Sequence, residues 1–322
     1  MLLDWWEEMT ESINEILNIL GSLPRPEVGI NLCSFSKHYW GIDSNGNIVY
    51  MIDAKQNTLP LKQKTRYIEL FINSDFKMEI DNSESRNTKA SGFVLRSNEE
   101  KHKEVFIRLL KSLPEQELDE ARLLKYFTYL KDLFASEKKP SYIELQGMFG
   151  ELFTMYILKI NYGINISKYY QSEDKSKFDF SISDKKKIEV KSTLKQERIH
   201  HFLQHQLNTE RYDIIVCSLM LQKDDSGMSL QDLVNECKEL FSNDLVLLIH
   251  IETMCKTLSE EELKSIKFNY QYAKDRFRIY KAQDIPRIKE KNDDGVFNVE
   301  YDVDLVQTQP ITMGSFIDWL DD

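Results

Sequence analysis

Two acidic residues and a lysine, namely Asp179, Glu189 and Lys191, lie in strand-like patterns on either side of residue 184. Asp179 alternates with apolar residues in Phe-Asp-Phe-Ser-Ile, and Glu189 and Lys191 do so in Ile-Glu-Val-Lys. Because successive side chains of a strand point to opposite faces, we predict a hairpin over 177–193 whose charged residues lie opposite the apolar ones. The three charged residues share one face if Asp179 pairs with Glu189 or with Lys191, which requires a loop of three or five residues around Asp184.

A carboxylate pair with an ammonium group beside it could hydrolyse a phosphodiester. Mg²⁺ takes oxygen ligands and keeps several waters, so two carboxylates and the phosphate oxygens of a substrate can complete its shell. The cation would activate a water, while Lys191 would orient the nucleophile or neutralise the developing negative charge. The pattern therefore predicts a metal-dependent phosphodiesterase centre at Asp179, Glu189 and Lys191.

The Glu-x-Lys spacing is a weak signal by itself, because it occurs six times, beginning at Glu99, Glu137, Glu173, Glu189, Glu236 and Glu262. Glu236 and Glu262 fall in predicted helices and Glu137 in a predicted linker, where solvated charge is the usual explanation. Only Glu189 lies on a predicted strand whose hairpin partner presents an aspartate to the same face. The alternative is an ordinary half-exposed hairpin whose polar residues face the solvent.

The N-terminal part of the chain predicts a small antiparallel sheet followed by two helices. Residues 1–20 have helical spacing, and Asn45-Gly46 separates two strand-like runs as in a hairpin. Period-two patterning continues to residue 95, and we predict the two helices over 100–113 and 117–134. A charged, proline-bearing stretch at 136–140 marks the boundary. We predict a β-rich accessory domain over 1–135, with two trailing helices, and a second domain over 136–322.

The second domain is predicted as an α/β fold in which the catalytic hairpin forms part of the core. Its core elements run helix, three strands, helix, strand, at 142–160, 164–171, the two strands of 177–193, 198–207 and 212–221. Later segments predict a helix at 230–241, an apolar segment at 245–254, and strands at 268–281 and 296–305. The last two would form a C-terminal β extension.

Composition indicates a globular, acidic chain. It has 322 residues, of which 41% are hydrophobic, so a disordered or fibrous protein is excluded. The formal net charge of -11 has the wrong sign for a protein that coats phosphate backbones non-specifically. Contact with nucleic acid would need a local basic surface, and we predict one near the hairpin from Lys185, Lys186, Lys187, Lys191, Lys195, Arg198 and Arg211.

Several classes of protein are not supported by the sequence. The four cysteines have no paired spacing, and we interpret them as reduced cytosolic thiols. The N-terminal segment does not have the composition of a signal peptide, and no run reaches the roughly 20 apolar residues that a bilayer requires. We find no glycine-rich phosphate loop and no Gly-x-Ser-x-Gly motif. We therefore expect a cytoplasmic protein without a membrane segment or an ATP motor.

Two glutamates of the first predicted core helix have different expected roles. Ser141 and Glu144 have the spacing of a capping box, so Glu144 is expected to cap the helix. Glu151 lies at the edge of the apolar stripe of this helix, and Gly147 and Gly150 leave room beside it. Glu151 could reach the hairpin, or it could be an ordinary solvated glutamate.

The segment 198–207 carries further polar candidates. Gln206 falls within the apolar stripe of the predicted helix, so it is either a satisfied core amide or a group that reaches the active site. His201 and His205 are four residues apart and could bind zinc, although no third ligand accompanies them.

These motifs resemble those of the PD-(D/E)XK nuclease superfamily, which has the restriction-endonuclease-like fold. More closely, they are similar to a bacterial family of PD-(D/E)XK proteins met among restriction and phage-defence genes. The resemblance covers most of 140–310, and one nominal motif residue differs, since Phe178 stands where the superfamily has proline. The matching segments are Gly147-Met-Phe-Gly-Glu-Leu152, Phe178-Asp179-Phe180, Ile188-Glu189-Val190-Lys191-Ser192-Thr193 and Gln206-Leu207, with weaker similarity over 277–286 and 299–305.

The resemblance implies a Mg²⁺-dependent DNA endonuclease, with Mn²⁺ able to substitute, in a restriction or anti-phage defence system. The implied metal ligands are Asp179, Glu189, Glu151 and the backbone carbonyl of Val190. Lys191 and Gln206 would complete the catalytic group, and the implied DNA contacts are Lys195, Arg198, His201 and His205. Expected partners are DNA, other subunits of a defence system and a second copy of the chain. The alternative is a catalytically silent nuclease-fold subunit that binds DNA or assembles a defence complex.

Overall fold

A computed structural model shows two compact units. One comprises Met1–Glu137 with Ser242–Thr253, and the other Lys138–Phe241 with Met254–Asp322. The described residues are 13–35, 38–54, 59–80, 86–111, 113, 119–135, 139–170, 177–288, 296 and 298–322. The first part of the predicted N-terminal helix and most of the predicted linker lie outside them.

The first unit is built around a six-stranded sheet. Its strands are β1 (Ile30–Phe35), β2 (His38–Asp43), β3 (Ile48–Asp53), β4 (Leu61–Lys64), β5 (Ile68–Ile80) and β6 (Arg86–Leu95). The order is β1-β2-β3-β6-β5-β4, and an additional parallel pairing of β1 with β5 closes five of the strands into a small barrel. The predicted Asn45-Gly46 hairpin is confirmed, because β2 pairs with β3 and Gly46 adopts the positive φ of 79° that such a tight turn needs.

Helices pack on the outside of these strands. They are α1 (13–22), α2 (Glu100–Lys111), α3 (Glu120–Ala135) and α6 (Leu245–Cys255). Trp40, Tyr50 and Phe93 of the strands and Phe106 of α2 belong to one buried cluster that also includes Leu248 of α6. The two trailing helices predicted at 100–113 and 117–134 are therefore observed, and the apolar segment at 245–254 is helical.

The second unit contains a four-stranded sheet and a long helix, α4 (Tyr142–Tyr162). The strands are β7 (Phe180–Ser181), β8 (Lys186–Thr193), β10 (Asp213–Met220) and β13 (Arg278–Lys281), in the order β13-β10-β8-β7. β10 runs parallel to β8, and its residues from Ile214 to Met220 are all buried, as expected for a central parallel strand. This arrangement is a mixed α/β fold, consistent with a PD-(D/E)XK-like domain.

The predicted order of the core elements is not confirmed. The segment predicted as a strand at 164–171 contains a short 3₁₀ helix at Ser167–Tyr169 and one isolated bridge from Tyr170 to Phe180, and Gln171 lies outside the described residues. The helix predicted at 198–207 is wrong, because it is a strand, β9 (Ile199–Leu203), followed by a 3₁₀ helix at Gln204–Leu207. β9 pairs with β14 (Glu300–Asp304), a partner about 100 residues away that local periodicity does not reveal.

The remaining elements surround the sheet. They are β11 (Lys223–Ser229), α5 (Leu230–Leu240), α7 (Glu260–Ser265), β12 (Lys267–Phe268), α8 (Tyr270–Asp275) and α9 (Met313–Asp321). The strand predicted at 268–281 is wrong in its first half, where Asn269 caps α8, and right in its second half, where β13 lies. The predicted C-terminal β extension also ends in a helix, α9. In the described part of the chain, no helix has the length and apolar character needed to cross a membrane.

Candidate active site

The register of the β7–β8 hairpin places Asp179 opposite Glu189. Phe180 pairs with Ile188 and Ser181 with Lys187, and the Ile182 amide donates to the Lys186 carbonyl at 3.0 Å. The loop therefore contains three residues, 183–185, which is one of the two lengths that the alternation allowed. Apolar residues of the hairpin fill the core, since Phe180 and Ile188 are fully buried.

The carboxylate of Asp179 is fixed by the neighbouring strand. The Val190 amide donates to Asp179 Oδ2 at 2.7 Å. Asp179 directly precedes β7, and this hydrogen bond links it to β8. The bond therefore holds the carboxylate next to Glu189. A charge-assisted hydrogen bond of this kind is stronger than one between neutral groups.

Glu189, Lys191 and Gln206 form a closed network of hydrogen bonds. Lys191 Nζ lies 2.7 Å from Glu189 Oε1 and donates to Gln206 Oε1 at 2.9 Å. Gln206 Nε2 donates to Glu189 Oε1 at 2.6 Å, and the Leu203 amide donates to Gln206 Oε1 at 3.0 Å. Gln206 is therefore a buried amide whose partners are the predicted site residues. The ammonium of Lys191 also lies 5.3 Å from the ring centroid of Phe202.

Helix α4 brings Glu151 towards the hairpin. The predicted capping box of Ser141 and Glu144 begins this helix. A Cβ atom at Gly150 would lie only 3.1 Å from Ser192 Cβ, so glycine permits the close approach of α4 to β8. The hydroxyl of Tyr170 donates to Glu151 Oε2 at 2.8 Å. Glu151 thus has a defined orientation beside the hairpin and is not an ordinary solvated glutamate.

The three carboxylates share a site that disfavours their charged forms. Burial raises the pKa of Glu189 to about 8, with a further contribution from the charge of Asp179, while Lys191 opposes the shift. Burial and the charge of Asp179 raise the pKa of Glu151 well above its usual range, against the hydrogen bond from Tyr170. Burial also raises the pKa of Asp179, although the Val190 amide and Lys191 lower it. One ammonium group therefore faces three carboxylates that repel one another.

This arrangement fits a hard divalent cation in its chemistry. Asp179 Oδ1, Glu189 Oε2 and Glu151 Oε1 accept no hydrogen bond within the described part of the chain, and a cation would relieve the repulsion among the three groups. In this structure, however, no three His, Cys, Asp or Glu side chains among the described residues converge closely enough to form a ready metal site.

The residues expected to contact DNA are placed very differently from one another. Lys195 and His201 are exposed, but both contact Asp302 of β14, at 3.2 and 3.0 Å, and His201 Nε2 lies 3.4 Å from a carboxylate oxygen of Glu300. His205 is partly buried against Phe178, and burial lowers its pKa. Since β9 and a 3₁₀ helix replace the predicted helix, His201 and His205 do not have the helical spacing on which the zinc alternative rested.

The position of Arg198 contradicts the DNA contact expected of it. It is buried, and its guanidinium donates to Ser218 Oγ at 2.6 Å and to the Arg276 carbonyl at 2.7 Å. A side chain bound in this way holds the protein together and is not available to a phosphate. Two lysines of the predicted basic surface are also bound internally, because Lys187 donates to Ser181 and Ser183, and Lys186 to the Trp319 carbonyl.

Sequence reasoning missed Tyr170, the direct partner of Glu151. Tyr170 is buried, bridges to Phe180 through the backbone, and its ring contacts the Phe180 ring edge-on at 5.5 Å. Because Phe180 follows Asp179, Tyr170 connects the strand that carries Asp179 to the helix that carries Glu151. A tyrosine within a stretch of irregular backbone gives no periodic signal, so only the three-dimensional contact reveals it.

Replacing Tyr170 by Phe is expected to weaken divalent-metal binding about tenfold, the usual cost of losing a group that orients a ligand. The ring contacts remain, so the loss of stability should be only about 1 kcal/mol. Calorimetric titration with Mn²⁺ measures the effect, and Tyr169→Phe, on the adjacent residue, is the control. If Tyr170 acts through Glu151, Tyr170→Phe should cause no further loss in a Glu151→Gln background. Equal losses in both backgrounds would assign Tyr170 a general structural role.

Residues 4–306 of the chain match the model of the family described as "Putative PD-(D/E)XK family member, (DUF4420)". The match spans both compact units and includes every candidate site residue named above. No curated protein matches the chain, and no solved structure does.

Proposed function

The chain belongs to this PD-(D/E)XK family, and from that premise we propose that it is a Mg²⁺-dependent endonuclease that hydrolyses phosphodiester bonds of DNA. The observation that carries the proposal is the group formed by Asp179, Glu189 and Lys191 on the hairpin, with Glu151 directed to it from α4. A structural hairpin has no need for three mutually repelling, poorly solvated carboxylates, because their burial costs stability. Such a cluster is typical of a functional site.

Asp179 and Glu189 are the residues that would hold the cation, with Glu151 and the Val190 carbonyl as further oxygen donors. When bound, Mg²⁺ would supply a water of lowered pKa and stabilise negative charge. The contacts with Glu189 and Gln206 hold the Lys191 ammonium at a fixed position, where it can orient the attacking water or neutralise charge on the phosphate. Gln206 positions both partners at once, because its amide donates to Glu189 and accepts from Lys191.

The direct test is incubation of the full-length protein with supercoiled, linear and single-stranded DNA, and with RNA, in the presence of Mg²⁺, Mn²⁺ or a chelator. We expect nicking or cleavage of DNA that requires the metal. A protein inert on every DNA form with either metal, and with its natural partners added, would contradict the proposal.

A second candidate function is a catalytically silent nuclease fold that binds DNA or assembles a complex. One observation favours it, namely that the described carboxylates do not already form a convergent metal site. Calorimetry with Mg²⁺ and Mn²⁺ discriminates between the two, because the silent subunit would take up neither ion at the hairpin. A role in restriction or anti-phage defence and partner subunits rest on the family resemblance alone, and a homodimer rests on its suitability for a double-strand cut. All three stay predictions.

Replacing Asp302 by Asn is expected to raise DNA affinity two- to fivefold, roughly, at low salt. Asp302 binds Lys195 and His201, two of the exposed residues implied to contact DNA, and its negative charge repels the phosphate backbone. Fluorescence anisotropy with a DNA duplex and no divalent metal measures the change. Asp304→Asn is the matched control, since it removes the same charge from the same exposed side of β14 without freeing a cation. Equal gains in both variants would mean that only bulk charge matters.

A further inference from the structure

A cavity of about 250 Å³ lies in the second unit, away from the proposed active site. It is bounded by the last turns of α4, the turn between α8 and β13, and the residues that precede α9. None of the candidate catalytic residues lines it. Its polar and aromatic lining consists of Asn161, Tyr162, Lys274, Phe277 and Arg278.

Two of the side chains that line the cavity are cationic. Lys274 and Arg278 line it, and no aspartate or glutamate is among the described residues that do so. Arg276 lies between these two residues in the chain, next to Asp275, whose carboxylate accepts a hydrogen bond from Gln271 at 2.8 Å. Within the described part of the chain, none of the three forms a salt bridge with a carboxylate.

The cationic turn is held rigidly from two sides. Arg198 reaches it from the protein interior and donates to the Arg276 carbonyl at 2.7 Å. Arg278 Nη1 donates to the carbonyls of Asp275 and Phe277, at 2.8 and 2.7 Å. Burial lowers the pKa of Arg198; Tyr280 opposes this shift, and the charges of Arg278 and Arg276 add to it. The fold therefore concentrates like charges at a preformed turn, where a bound anion would relieve their repulsion.

The rest of the lining suits a ligand in which a flat, largely apolar group is attached to the anion. The aromatic side chains of Tyr162 and Phe277 and the aliphatic side chains of Ile157, Ile279 and Ile311 contribute to the walls. Asn161 Nδ2 donates to the Ile157 carbonyl at 3.1 Å, which leaves the amide oxygen as an acceptor. The volume corresponds to about eight water molecules, enough for a nucleobase with part of its sugar. Arg278 is exposed, so a phosphate at the mouth of the cavity could reach it.

We propose that this cavity binds a nucleoside monophosphate, either free or as the terminal nucleotide of a nucleic-acid strand. The phosphate contacts Lys274 and Arg278, and the base lies against the aromatic and aliphatic walls. Ile157, which lines the cavity, lies six residues after Glu151 on helix α4. At a rise of 1.5 Å per residue, the two residues are about 9 Å apart along the helix axis. The site is independent of the proposed nuclease activity and would exist equally in a catalytically silent protein.

Calorimetric titration of the full-length protein, without divalent metal, tests the proposal. The probes are the four deoxynucleoside monophosphates, inorganic phosphate and a short single-stranded oligonucleotide with a 5′ phosphate. We expect saturable binding of at least one nucleotide with a Kd below about 1 mM, and binding of inorganic phosphate at least about tenfold weaker. Binding of the oligonucleotide but of no monomer would identify a strand terminus as the source of the nucleotide.

Single substitutions test whether the nucleotide binds in this cavity. Lys274→Ala and Arg278→Ala should each weaken it at least about tenfold, and Lys168→Ala, which removes an exposed lysine away from the cavity, should not. Lys274→Ala leaves the backbone contacts of Arg278 intact, so its result stands even if Arg278→Ala disturbs the turn. The proposal is overturned if no probe binds, if inorganic phosphate binds as tightly as every nucleotide, or if Lys274→Ala leaves the affinity unchanged.

Discussion

Replacing Asp179 by Asn is expected to reduce metal-dependent DNA cleavage by at least roughly 1000-fold while leaving the fold intact. The amide oxygen of asparagine can accept the hydrogen bond that the Val190 amide gives to Asp179 Oδ2. The geometry of the hairpin is therefore preserved, and the change removes only the charge. A neutral amide is a poor ligand for Mg²⁺ in comparison with a carboxylate, so the cation should bind weakly or not at all.

The measurement is the initial rate of plasmid nicking with Mg²⁺, together with calorimetric titration of the metal and a thermal unfolding curve. Asp184→Asn is the matched control, because Asp184 is an exposed aspartate in the loop of the same hairpin. It should retain full cleavage. Cleavage by Asp179→Asn at more than about a tenth of the wild-type rate would remove Asp179 from the metal site. Loss of cleavage with unchanged metal affinity would assign Asp179 a role other than ligand.

Local patterns predicted those elements whose partners lie nearby in the chain. The alternation around residue 184 predicted the hairpin, and one of the two registers it allowed is observed. The capping box at Ser141 and the Asn45-Gly46 turn were readable because both depend on backbone contacts within a few residues. Gln206 was expected to be either a core amide or a group that reaches the active site, on a helix that is a strand and a 3₁₀ helix in the structure.

The features that local patterns did not predict depend on partners far away in the chain. Residues 198–207 have apolar residues at helical spacing, yet pairing with β14 makes the first half a strand in which His200 and Phe202 are buried. Arg198 was counted in the basic surface near the hairpin, and the family resemblance implied that it contacts DNA. Its burial depends on Ser218 and on the Arg276 carbonyl, which are 20 and 78 residues away. No local pattern contains that information.

The proposed site thus combines a hairpin that local sequence patterns predict with orienting groups that they do not predict. The hairpin residues Asp179, Glu189 and Lys191 form a sequence motif, but the groups that orient them belong to other segments. Gln206 follows a strand that pairs with β14, and Tyr170 lies in irregular backbone. The orienting groups tune the chemistry of the motif, so the motif alone cannot tell an active nuclease from a silent one.

Replacing Glu189 by Gln is expected to stabilise the metal-free protein at alkaline pH. The pKa of Glu189 is raised from 4.5 to about 8, chiefly by burial and then by the charge of Asp179. Below pH 4.5 this carboxyl is protonated in both the folded and the unfolded chain, so its full contribution to stability is present. As the pH rises from 4.5 to about 8, the unfolded chain loses the proton while the folded chain retains it, and the free energy of unfolding falls. Glutamine removes this dependence.

Unfolding by urea in a chelator, at pH values between 5 and 9, roughly, measures the difference between the two proteins. The stability of Glu189→Gln relative to wild type should rise across that window, by an amount of the order of 1–3 kcal/mol, because glutamine can keep the contacts with Lys191 and Gln206. Glu197→Gln, at an exposed glutamate, should show no such trend.

Added Mg²⁺ should make the wild type more stable than Glu189→Gln. A ligand stabilises only the protein that binds it, and the glutamine variant lacks a ligand carboxylate. A constant difference at all pH values would mean that Glu189 is not a destabilised carboxyl held for metal binding, and that the hairpin network is structural.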